Sequence, residues 1–133
     1  MLDHIFLTVT DLPVSIAFYT TALAPLGIVD RLDYDGRQGP AGHPDLTGFG
    51  AGGRMRFWLR QGPTGGTSAH VGFAADSNAK VDAAYRAAMH AGATSIHPPG
   101  TQPHYDPRYY AAQVRDPDGY SLEFVHKPWQ HGA

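Results

Sequence analysis

Two six-residue runs alternate side chains in the same order: His4-Ile5-Phe6-Leu7-Thr8-Val9 and, 66 positions later, His70-Val71-Gly72-Phe73-Ala74-Ala75. A strand's two-residue period puts His4, Phe6 and Thr8 on one face, and His70, Gly72 and Ala74 on the matching face of the second run. A polar stop follows each run, Thr10-Asp11-Leu12-Pro13 in the first and Asp76-Ser77-Asn78 in the second. These residues cap helix N-termini, and Pro13 suits a first turn. Beyond them the period lengthens. Phe18-Tyr19 and Ala22-Leu23 recur as Ala84-Tyr85 and Ala88-Met89, a spacing that gives each helix one buried stripe. Gly27 and Gly92 stand where helices end, and Asp82 falls on the second helix without an evident partner.

Short extended stretches follow each helix, near 28–34, 46–50 and 54–60 and again near 93–97, 109–115 and 120–126. Asp116-Pro117-Asp118-Gly119 has the residues of a type I turn. The pattern is βαβββ twice over, an α+β chain with module one at about 1–60, a Gly/Pro-rich hinge at about 61–67, module two at about 68–127 and a tail at 128–133. The chain of 133 residues suits a single domain. Half of it would bury too little surface alone, so the halves must share a sheet or pair across a homodimer.

Composition narrows the chemistry. Ten Lys+Arg against twelve Asp+Glu leave a net charge of −2, without the clustered basic face that nucleic acid demands. The absence of Cys removes disulfides and thiolate chemistry. There is neither a long apolar run nor a basic leader, so a cytoplasmic chain without a membrane partner is expected. Gly48-Phe49-Gly50-Ala51-Gly52-Gly53 satisfies G-x-G-x-x-G literally, but an alternating run and not a helix follows, which argues against a dinucleotide site.

His4 and His70 occupy matching strand positions, and Glu123 lies on the last strand, sharing a face with Ser121 and Val125. Two imidazoles and a carboxylate form a set that leaves positions open on a metal. In the segment 103–110, His104 and Tyr109 are candidates to transfer protons or bind an oxyanion. Trp58 is a candidate floor for an apolar substrate. His43, His90, His97, His126 and His131 read as surface or loop residues.

The run from Asp116 through Gly119-Tyr120-Ser121-Leu122-Glu123-Phe124 resembles the closing motif of the vicinal oxygen chelate superfamily. That superfamily takes in glyoxalases, bleomycin-resistance proteins, extradiol dioxygenases and fosfomycin-resistance enzymes. Asp3-His4-Ile5-Phe6-Leu7-Thr8-Val9 with Phe18-Tyr19 resembles its first βα unit, and Ser68-Ala69-His70-Val71-Gly72-Phe73 the start of its second. The resemblance implies paired βαβββ modules curling into a barrel-like mixed sheet around a metal site, usually in a homodimer. It places the ligands of a divalent ion (Fe, Mn, Ni or Zn) on His4, His70 and Glu123. It implies a metal-dependent lyase, transferase or dioxygenase acting on a small oxygen-rich molecule, or alternatively a metal-free protein that sequesters a drug or metabolite. Glyoxalase I proteins carry a fourth ligand, Glu or Gln, on the last strand of module one. Here that position falls on Phe57, or on Trp58 after a one-residue slip. Neither binds metal, which argues against glyoxalase I activity, and whichever of the two faces the pocket becomes a substrate contact, with Tyr109.

Overall fold

The computed structural model describes residues 1–66 and 68–131; Thr67 of the expected hinge and the last two residues of the tail lie outside that range. The elements run β1 (Ile5–Val9), α1 (Leu12–Leu23), β2 (Asp30–Tyr34), β3 (Leu46–Ala51), β4 (Arg54–Gln61), β5 (His70–Ala74), α2 (Asn78–His90), β6 (Thr94–Thr101), β7 (Tyr110–Arg115) and β8 (Ser121–His126). They form two four-stranded sheets of identical order, β1-β4-β3-β2 and β5-β8-β7-β6. In each sheet the first strand lies parallel to the last and the other pairs are antiparallel.

Local chemistry accounts for the boundaries. The Asp11 side chain accepts from the Val14 amide and Ser77 from the Lys80 amide, so both helices start at their caps. Gly52 and Gly53 both have positive φ, 61° and 77°, so the glycine-rich run is the tight turn of the β3–β4 hairpin. The Gly119 amide donates to the Asp116 carbonyl at 2.9 Å, closing the turn before β8.

The helices pack on each other and on the sheets, and one core spans both modules. Phe18, Tyr19, Ala22 and Leu23 of α1 are buried, as are Val81, Ala84 and Ala88 of α2. Phe57 of β4 meets Phe73 of β5 edge-on at 5.2 Å, joining the modules.

Four expectations need correction. The strand expected at 93–97 runs on through Pro98 and Pro99 to Thr101. It is an edge strand with register shifts on either side of His97, where a missing amide donor costs nothing. Tyr85 is only half-buried, because its hydroxyl reaches out to the Ser95 hydroxyl at 2.8 Å, and Met89 is 36% exposed. Asp82 is not unpartnered: it accepts from the Tyr110 hydroxyl at 2.6 Å. His126 is no surface residue; it is buried on β8, its Nδ1 donating to the Ala75 carbonyl at 2.8 Å.

Candidate functional site

Parallel pairing of β5 with β8 sets His70 beside Ser121 and Gly72 beside Glu123. Because Gly72 has no side chain, His70 can reach across to the carboxylate. Its Nε2 lies 3.1 Å from Glu123 Oε1 and its Nδ1 lies 2.8 Å from Ser121 Oγ. In the neutral ring Nε2–H then donates to the carboxylate, and Nδ1 accepts from the serine hydroxyl. The antiparallel β7–β8 register puts Gln113 opposite Glu123, and its Nε2 donates to Oε1 at 3.2 Å. Tyr109, just before β7, donates its hydroxyl to Oε2.

Glu123 is therefore buried, 7% exposed, among three donors. Leu122 and Phe124 point into the core on the other side of the strand. Burial and the Glu123 carboxylate push the Tyr109 hydroxyl well above its ordinary range. A phenol held that way stays protonated at neutral pH and serves as a donor that fixes the carboxylate. His104 is exposed and stacks on Tyr105, ring centroids 4.2 Å apart; among the described residues it makes no hydrogen bond to the His70–Glu123 pair.

The other sheet has an open face of its own. His4 precedes β1, exposed, with Nδ1 2.6 Å from Asp3 Oδ2 and its ring edge-on to Phe6. Among the described residues, no three His, Asp or Glu side chains of the chain converge on one point. The fold brings His70 and Glu123 together and leaves His4 apart from them.

Strand register settles the Phe57/Trp58 alternative. Glu123 pairs with Gly72, whose counterpart in module one is Phe6, and Phe6 pairs with Trp58. Trp58 thus stands where Glu123 stands in module two, while Phe57 is buried against Tyr19, Phe49 and Phe73. Gly48 lies under the indole: a β-carbon there would come within 2.8 Å of its ring atoms. The indole N–H donates to the Met55 carbonyl at 3.2 Å.

The donor set fits a divalent ion of borderline softness, with imidazole and carboxylate side by side and the carboxylate oriented by Tyr109 and Gln113. Gln113 and Ser121 were missed from the sequence although the signal existed, because the Asp116–Gly119 turn fixes which residues of β7 face those of β8.

The sequence profile of the Glyoxalase/Bleomycin resistance protein/Dioxygenase superfamily matches residues 1–124. The chain belongs to this superfamily. A crystal structure of a glyoxalase/bleomycin resistance protein from Albidiferax ferrireducens is 28% identical, covers 96% of this chain and 99% of its own, and superposes with a TM-score of 0.77. A glyoxylase/bleomycin resistance protein/dioxygenase domain from Frankia sp. is 24% identical over 95% of this chain and 96% of its own, with a TM-score of 0.68. A glyoxalase I mutant from Zea mays is 20% identical over 93% of this chain but only 43% of its own, with a TM-score of 0.66. The last two share the fold alone. No curated protein matches the sequence. Within the superfamily fold, this chain has a Trp at the module-one position equivalent to Glu123.

Proposed function

We propose that this protein is a metal-dependent enzyme, with His4, His70 and Glu123 as ligands and a small oxygen-rich molecule as substrate. The observation that carries the reading is the His70–Glu123 pair on an open sheet face, its carboxylate fixed by Tyr109 and Gln113. A bound divalent ion would supply a Lewis acid and a template for two neighbouring substrate oxygens. The chain's own groups do the rest. Tyr109 and Gln113 hold Glu123, the Ser121 hydroxyl holds His70 Nδ1 and would accept its proton when Nε2 serves as the ligand, and Trp58 offers an apolar wall. We read the chain as one cytoplasmic domain of two modules with the expected boundaries.

The separation of His4 from the other two candidates favours a homodimer in which one protomer's first sheet faces its partner's second. A divalent ion per chain and a dimeric mass should appear together in elemental analysis and light scattering. Complementation tests the sharing: mixed His4→Ala and Glu123→Gln protomers should regain metal in about half the sites of the mixed dimers, since one shared site is intact and the other doubly defective. No recovery on mixing means that the site is not shared. Absence of metal after exposure to Mn, Fe, Ni and Zn overturns the metal reading.

One observation favours the metal-free alternative. Glu123 and His70 already satisfy each other, so the site is stable as a polar binding surface without an ion. Ligand binding by metal-free protein that added metal does not change would decide for that alternative.

A further inference from the structure

Four side chains of the open face of the first sheet form a block. Register pairs Phe6 with Trp58 and Thr8 with Arg60, so these alternate residues of β1 and β4 share one face. Phe6 is 41% exposed and lies beside Trp58 at 6.1 Å, their planes 31° apart. His4 closes the other side of Phe6 edge-on, at 5.3 Å and 83°. Gly48 beneath and the Met55 carbonyl at its N–H fix the indole. The result is a rigid aromatic platform with an exposed large ring.

Its polar end is a cation without a counterion. Arg60 donates Nε and Nη2 to Thr8 Oγ1 at 3.3 and 3.1 Å, with its guanidinium carbon 5.9 Å from the Phe6 centroid. Among the described residues neither Arg60 nor Arg56 forms an ion pair, although Arg31, Arg37 and Arg108 each have an aspartate. The Thr8 hydroxyl anchors the fork and leaves guanidinium donors free. A guanidinium held beside an aromatic surface matches a planar ring that carries a carboxylate: the ring stacks and the carboxylate takes charge-assisted hydrogen bonds.

We propose that this face binds an aromatic carboxylate, its ring on Phe6 and Trp58 and its carboxylate on Arg60. The proposal rests on the reading of the open faces as the ligand site and adds the substrate class. Trp58 and Arg60 select the ligand, one by ring and the other by charge.

The test uses metal-free full-length protein and isothermal calorimetry, with benzoate, cyclohexanecarboxylate and phenol as probes. Benzoate should bind, and the saturated acid about fivefold more weakly, because it loses the stacking. Arg60→Gln should weaken benzoate about tenfold while leaving phenol unchanged, because only the charged partner is lost. Trp58→Leu should weaken both aromatic probes, and Trp58→Phe, which keeps a ring, should restore benzoate binding if the leucine variant packs poorly. Equal binding of benzoate and cyclohexanecarboxylate, indifference to Arg60, or no benzoate binding at all overturns the proposal. Because no metal is present, benzoate binding by a protein that takes up no metal defeats the enzyme reading and leaves this one standing. Metal uptake without benzoate binding does the reverse.

Discussion

The Tyr19 hydroxyl, on the first helix, donates to the Asp116 carboxylate in the turn before β8 at 2.5 Å, across 97 residues of chain. Both are buried, at 0% and 5% exposure. The other carboxylate oxygen accepts from the Asp118 and Tyr120 amides, each at 2.9 Å, so one aspartate shapes the turn and ties it to the other module. Nearby, Tyr120 donates to the Thr8 carbonyl and Thr10 to Asp118.

Tyr19→Phe leaves a buried carboxylate oxygen without its donor and should destabilise the protein by about 1–3 kcal/mol, read from the urea midpoint. Burial holds the Asp116 carboxyl above its ordinary range while the Tyr19 bond pulls it back. The variant's carboxyl should therefore rise further. A raised acid contributes stability that is full below its unfolded value and is lost as pH climbs through the folded one. The cost of Tyr19→Phe should accordingly be larger at neutral pH than near pH 3. A cost independent of pH would mean that the tyrosine acts by packing alone.

Tyr110 makes a prediction at the alkaline end. Its hydrogen bond to Asp82, with help from burial, pushes the hydroxyl up to about 12. The contribution of that bond is complete below the ordinary tyrosine value near 10 and disappears as pH rises through about 12. Tyr110→Phe and Asp82→Asn should each flatten the loss of stability over that interval. Denaturant titrations at rising pH, together with tyrosine absorbance, check it.

Glu123→Gln should lower metal affinity at least about tenfold, worth about 1.4 kcal/mol, because a neutral amide is a poorer ligand. It should also cost the metal-free protein about 1–3 kcal/mol, since Tyr109, Gln113 and His70 all donate to the carboxylate and an amide offers one acceptor oxygen. His90→Gln, exposed at the end of α2, should change neither. Unchanged metal content in the Glu123 variant removes that residue from the ligand set.

Gly48→Ala should force its methyl into the Trp58 ring, 2.8 Å away, at a cost of about 1–3 kcal/mol in stability. Trp58 emission should shift as the indole moves. A neutral substitution with unchanged fluorescence would mean that Gly48 does not set the ring's position.

By itself the sequence determined the repeat, the helix caps, the hairpin and turn signals and the superfamily, because each rests on local chemistry or on residues close in the chain. Asp11 and Ser77 cap helices whatever packs on them, and two glycines at 52 and 53 make a tight turn in any sheet. The tertiary structure decided what depends on register and on long contacts. A one-residue slip separates Phe57 from Trp58, and only the pairing of β1 with β4 buries the first and leaves the second half-buried on the opposite face. The helical stripe of module two named Tyr85 and Met89 as core, yet the small Ala84 and Ala88 beside them are the residues that are fully buried. Asp82 and Asp116 found their tyrosines across 28 and 97 residues. Glu123 was legible as a ligand-type residue on a strand. Its burial under Tyr109 and Gln113, and the distance of His4 from the pair, follow from two sheets packed through their helices, which leaves the two histidine faces apart within one chain.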